Sequence, residues 1–247
     1  MKLLAFFPVG LISGILGAVV GIASLASYPA LIMFGLPPIT ANVTNLTSQG
    51  LLCIGSFYSS LRDIVGHGKQ TLIYTILLLV GSIIGTIIVL HESSASFAKI
   101  VPFFVLAATL LILKPKTKAA NKTDKKKLWV RYLTMFILFL LGIYCAYFGA
   151  GSGIVYLALM ATVSTAPFKV YNSIRNVSMV GPAVVSTIVY ATLAPVNWLV
   201  VVPLGLGMLI GGYLGPIIVR HVNEKYIKSF VSICGIVLTI YLFMKAY

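Results

Sequence analysis

A nine-residue string recurs about 130 residues along this chain: GSIIGTIIV at 81–89 returns as GGYLGPIIV at 211–219, with five of nine positions identical. A second pair, NLTSQG at 45–50 and NVSMVG at 176–181, keeps nearly the same offset. An internal duplication requires both halves to supply the same elements and to bury them against each other. In an apolar chain that pattern is typical of a transporter built around a shared site.

The chain is apolar enough for this reading. Of its 247 residues 60% are hydrophobic and 9% charged, whereas a soluble domain carries about a quarter charged residues. At about 20 residues per span the length allows roughly eight to ten membrane segments and leaves little for any other domain. Apolar stretches run at 4–34, 39–61, 71–90, 97–113, 132–162, 172–193, 197–219 and 226–244, eight blocks in two sets of four. The expected organisation is a first membrane repeat at 1–113, a cytoplasmic basic linker at 114–131 and a second membrane repeat at 132–247.

The formal net charge of +14 is concentrated in that linker, at Lys114, Lys116, Lys118, Lys122, Lys125, Lys126, Lys127 and Arg131. A basic run between two apolar blocks is first a topology signal, with attraction to anionic lipid headgroups as a secondary effect. No basic face with interleaved aromatics accompanies it, so nucleic acid is not an expected partner.

The first block of each half, about 30 residues, is too long for one span and short for two. Each is broken by glycine: Gly14, Gly17 and Gly21 precede Ser24, and Gly149, Gly151 and Gly153 surround Ser152. Glycine lets the backbone leave the helix, and such a break at membrane depth is tolerated where protein or a water-filled cavity satisfies it. A re-entrant hairpin is therefore expected in each half.

Charge counting favours this. With plain single spans the positive charges divide 12 inside to 6 outside. With two re-entrant hairpins the second half is inverted, and the division becomes 15 to 3, with only Lys2, Lys99 and Lys245 outside. The positive-inside rule prefers the second arrangement, with both termini outside. The first twenty residues could pass for a signal peptide, but cleavage there would destroy one member of a repeated pair.

The expected fold is thus an all-α polytopic membrane protein of two inverted repeats, about four helical segments each. Its site follows from the two breaks. Half-helices that start at mid-membrane present unsatisfied N–H groups and the positive end of the dipole, a natural seat for an anion. Gly21, Ser24, Gly151, Ser152 and Gly153 would supply those ends, unless the glycines serve only helix packing. The following segments add polar clusters that include Thr44 and Asn45 in the first half and Asn172, Arg175 and Asn176 in the second. Aligning Asn45 with Asn176 sets Thr44 opposite Arg175, and two such helix starts would face each other across the centre. The two asparagines could serve substrate or simply cross-link helices. Arg175 can hold a sulfonate, sulfite or carboxylate in two hydrogen bonds; its bland alternative is an interfacial arginine that snorkels.

Other chemistry finds little support. Asp63, Glu92, Asp124 and Glu224 lie at segment ends or in loops, so no buried carboxylate is expected to carry a proton or hold a cation. Cys53, Cys145 and Cys234 form no ligand spacing with each other or with a histidine and read as small hydrophobes; no metal or cofactor is expected. The runs Gly81/Gly85 and Gly211/Gly215 read as helix contact faces, and a homodimer through such a face is conceivable. A membrane-embedded enzyme would need a nucleophile, paired-carboxylate or metal set that is not visible.

Gly14-x-x-Gly17-x-x-x-Gly21 followed by Pro29 and Leu31, then Ala41-x-x-Thr44-Asn45, then Phe148-Gly-Ala-Gly151-Ser-Gly153 in a doubled eight-segment layout resembles the sulfite exporter TauE/SafE family. The resemblance covers nearly the whole chain. It implies a multi-pass permease of a prokaryotic inner membrane that moves sulfite, sulfoacetate or related small anions, usually outward. A permease for another small carboxylate, or a non-transporting membrane subunit, is the alternative. The chain departs from the family's consecutive glycines in the first half, which shifts weight to Gly151, Ser152, Arg175 and Asn176.

Overall fold

A computed structural model describes residues 2–93, 124–164, 166–221 and 226. Among them the structure is all helical: α1 Phe6–Val20, α2 Ala23–Met33, α3 Pro38–Ser60, α4 Gly68–His91, α5 Asp124–Tyr147, α6 Ser152–Val163, α7 Phe168–Ser178, α8 Val180–Leu193 and α9 Trp198–His221. The apolar blocks expected at 97–113 and 226–244, and most of the 114–131 linker, lie outside the described residues.

The breaks fall where the glycines predict. Helix α1 ends at Gly21, which adopts φ +85° and donates its N–H to the Leu16 carbonyl. Helix α5 ends in the same way: Gly149, at φ +71°, donates to the Tyr144 carbonyl. Left-handed backbone at this position closes a helix with little penalty only in glycine. After the first break the chain turns back, because Phe6 at the start of α1 and Phe34 just beyond α2 stack with ring centroids 4.6 Å apart. Prolines then start the next helices. Pro37 precedes α3 and Pro167 precedes α7, each with ψ near 150°, and their fixed φ suits the entry to a first turn.

Helix α3 is the centre of the molecule. It lies against α9 on one side and α7 and α8 on the other. Its 23 residues would reach about 34 Å, yet it is too polar to stand among the five segments apolar enough to cross a membrane by composition, 3–20, 68–91, 129–147, 168–193 and 198–221. Asn42, Thr44, Asn45, Thr47 and Ser48 are all buried in protein, which is why a polar helix is tolerated here. Outward faces are the reverse. Ile76, Ile83 and Ile87 on α4 and Leu199, Val202 and Leu206 on α9 are exposed, as a lipid-facing surface requires.

The repeated glycine runs are contact faces within the chain. On α9, Gly211 packs against Leu11, Gly14 and Ile15, and Gly215 against Ala18 of α1. On α4, Gly81 packs against Phe139 and Gly142, and Gly85 against Ile143 of α5. Each broken helix therefore docks on a long helix of the other half, backbone on backbone, as small residues permit where no hydrophobic force drives helices together. Both glycine faces are occupied intramolecularly.

Candidate functional site

A cavity of about 80 Å³ lies between the two breaks. One face of α3 lines it with Leu46, Gln49, Cys53 and Ser56, and one face of α8 with Pro182, Ala183 and Ser186. Both sets recur at helical spacing, so each helix turns a single stripe inward. The tips of the broken helices complete the wall: Gly17 and Gly21 from the first half, Cys145, Gly149, Ser152 and Gly153 from the second. The tips touch directly, since the Gly153 N–H donates to the Gly21 carbonyl at 3.3 Å. A Cβ on either glycine would collide with the other's backbone.

Arg175 dominates the electrostatics. It is 2% exposed and so does not snorkel. Its Nη2 donates to the carbonyls of Gly17 at 2.9 Å and Ala18 at 2.7 Å and to the side-chain oxygen of Asn176. Those carbonyls end α1, where the helix dipole is negative, which offsets part of the charge. Nη1, beside Gly21 and Gly153, has no protein partner. No described carboxylate pairs with Arg175: the closest-built ion pair, Arg220 with Asp63 at 2.7 Å, joins the end of α9 to the turn after α3. A buried guanidinium with one terminal nitrogen unpartnered is costly unless an anion completes it.

The asparagines hold the frame. Asn176 donates to the Ala18 carbonyl at 3.1 Å and to Ser60 Oγ at 3.2 Å. Asn45 accepts from Ser27 and donates to Ser24 Oγ at 3.0 Å, tying α3 to α2, and Gln49 reaches the same Ser24 oxygen at 2.9 Å. Asn172 donates to the Ala18 carbonyl at 3.2 Å.

Of the ten residues singled out in the sequence, Gly21, Ser152, Gly153, Arg175 and Asn176 line the cavity. Ser24, Thr44, Asn45, Gly151 and Asn172 do not. Gly151 is the left-handed residue that starts α6, at φ +72°. Thr44 does not face Arg175; its hydroxyl accepts the Asn197 N–H at 3.0 Å, fixing the entry to α9. The helix starts also offer fewer free amides than expected, because Ser152 donates to Gly149 and Gly153 to Gly21.

Sequence reasoning placed Asn42 in the polar cluster of the first half and the cysteines inside apolar segments, but missed where the fold puts them. Asn42 donates to the Tyr147 carbonyl at 2.9 Å, so an α3 asparagine closes the end of α5 much as Asn172 on α7 closes the end of α1. The 130-residue offset between the two asparagines was a readable signal. Cys53 and Cys145, read as small hydrophobes, both line the cavity; nothing in their spacing pointed there. Among the described residues no cluster of three or more His, Cys, Asp or Glu side chains can hold a metal.

A polytopic all-helical bundle with broken helices meeting at a buried polar cavity has the architecture of a membrane carrier. Sequence comparison agrees: the family model for the sulfite exporter TauE/SafE matches residues 6–242, and the chain belongs to that family. It is similar to a probable membrane transporter protein of Haemophilus influenzae, at 27% identity over 94% of this chain and 91% of that one. It also resembles probable membrane transporter protein ORF9 of Sinorhizobium sp, at 28% identity over 96% and 91% of the two chains. Probable membrane transporter protein YfcA of Escherichia coli K12 is 22% identical over 94% and 86%. No solved structure matches the chain. The protein is a multi-pass membrane transporter of this family.

Proposed function

We propose that the protein is a permease for a small sulfur oxyanion or organosulfonate, sulfite being the simplest, and that the anion binds in the central cavity against Arg175. One observation carries this: a buried guanidinium with no carboxylate partner among the described residues and an unused Nη1 at the cavity wall. Ser152 lines the same cavity, and Asn176 holds Nη2 of the guanidinium in place.

Transport then follows by alternating access between two inverted halves. Helix α1 runs alongside α9 in the same direction, as the contacts of Gly10 with Leu204 and Gly14 with Met208 indicate, and α5 runs likewise beside α4. In this scheme the hairpin of the first half and the break of the second reach the cavity from opposite faces. Outward movement needs no coupling ion, since each negative charge leaving a negative interior gains about 2.3 kcal/mol per 100 mV. The basic linker lies on the cytoplasmic side in this scheme.

The test is sulfite flux in proteoliposomes. Arg175→Ala is expected to reduce flux to the rate of empty vesicles while the protein still purifies as a folded monodisperse species. Unchanged flux in that variant would refute the proposal.

A further inference from the structure

Two free cysteines, Cys53 on α3 and Cys145 on α5, come from opposite halves of the chain and line the same cavity as Arg175. Cys53 Sγ lies 3.8 Å from the Met179 carbonyl oxygen, and Cys145 Sγ lies 3.8 Å from the Met179 sulfur. Leu46, Leu52 and Pro182 fill out the same cavity. The lining thus combines two chemistries: a hard set, made of the guanidinium with Gln49, Ser56, Ser152 and Ser186, and a soft set of three sulfur side chains with aliphatic neighbours.

We propose that the cavity selects a small oxyanion bearing a terminal sulfur, its oxygens on Arg175 and its sulfur against Cys53, Cys145 and Met179. This inference rests on the reading of the cavity as an anion site. Thiols and thioethers are polarisable and only weak hydrogen-bond partners. An all-oxygen anion that turns an oxygen toward that set desolvates it without a good donor. A thio-oxyanion puts its softest, least hydrated atom there instead, and keeps its charged oxygens for the arginine. At about 80 Å³ the cavity has room for several waters, enough for a small ion of this kind.

Thiosulfate and sulfate form a matched pair for the test, differing by one sulfur in place of one oxygen. Calorimetric titration of the purified full-length protein in detergent is expected to give about tenfold tighter binding of thiosulfate, the equivalent of one or two weak contacts. In Cys53→Ala/Cys145→Ala/Met179→Leu the two affinities should fall within about twofold of each other, chiefly through loss of thiosulfate affinity. Equal binding of the two ions by the unmodified protein, or a preference that survives in the triple variant, would overturn the inference while leaving the anion site standing. Binding of neither ion by the unmodified protein would overturn both. If the triple variant loses sulfate as well, Cys53→Ala alone decides: a partial loss of the preference supports the soft wall, and a full preference rules it out.

Discussion

At the residue scale, the protein asks one arginine to do two jobs. Nη2 of Arg175 closes the end of α1 and Nη1 is left at the cavity. A lysine keeps the charge but not the fork, so Arg175→Lys should retain folding and lose most sulfite affinity, measurable by titration; retained affinity would show that charge alone suffices. Arg175 was legible because an ionisable residue inside an apolar block stands out. Its geometry was not, since Gly17 and Ala18 lie more than 150 residues away in sequence. The asparagines show the same limit. Whether Asn45 and Asn176 serve substrate or frame depended on which helix ends the fold brings to them. Asn42→Ala and Asn172→Ala release opposite tips, and each should lower unfolding free energy by about 1 kcal/mol. Because the tips are separate the losses should add; strong coupling in the double variant would mean that both asparagines act on one element.

At the element scale, glycine decides where helices stop and where they touch. Gly21 needs left-handed backbone and abuts Gly153 and Arg175 Nη1. Gly21→Ala adds about 1–2 kcal/mol of backbone strain before any collision, and the collision displaces Arg175. Thermal midpoint and sulfite affinity should therefore fall together in that variant. In contrast, Gly81→Val at the α4–α5 contact should cost about 1–3 kcal/mol of stability by overpacking while leaving affinity in the folded fraction unchanged. The breaks at Gly21 and Gly149 were legible from glycine clustering. The short break at Met179 between α7 and α8 was not anticipated, although Pro182, which cannot donate to the Ser178 carbonyl, provides its reason. Helix α3 was legible as the apolar block at 39–61, but the burial in protein that makes its polar residues acceptable at membrane depth was not.

At the scale of the whole molecule, the duplication is expressed as exchange: each broken helix packs on a long helix from the other half. The repeat itself was visible in the chain, but this pairing was not, because identical glycine faces could equally have paired within a half or between two copies. One ion pair helps to hold the halves together. Asp63, in the first half, accepts from Arg220 of the second at 2.7 and 3.0 Å and from Ser173 at 3.4 Å, with both charged side chains about one-eighth exposed. Breaking a mostly buried pair from one side is costly, so Asp63→Ala should lower the thermal midpoint markedly. The swap Asp63→Arg/Arg220→Asp should recover part of it, and no recovery would show that Asp63 acts through Ser173 alone.

The central claim, that an anion sits on Arg175 between the two breaks, is most directly tested by anomalous diffraction from crystals soaked in selenite, the heavier analogue of sulfite. The expected result is a selenium peak inside the cavity within hydrogen-bonding reach of Arg175 Nη1, absent in Arg175→Ala. A peak elsewhere in the bundle, with the cavity empty beside an ordered Arg175, would contradict the account.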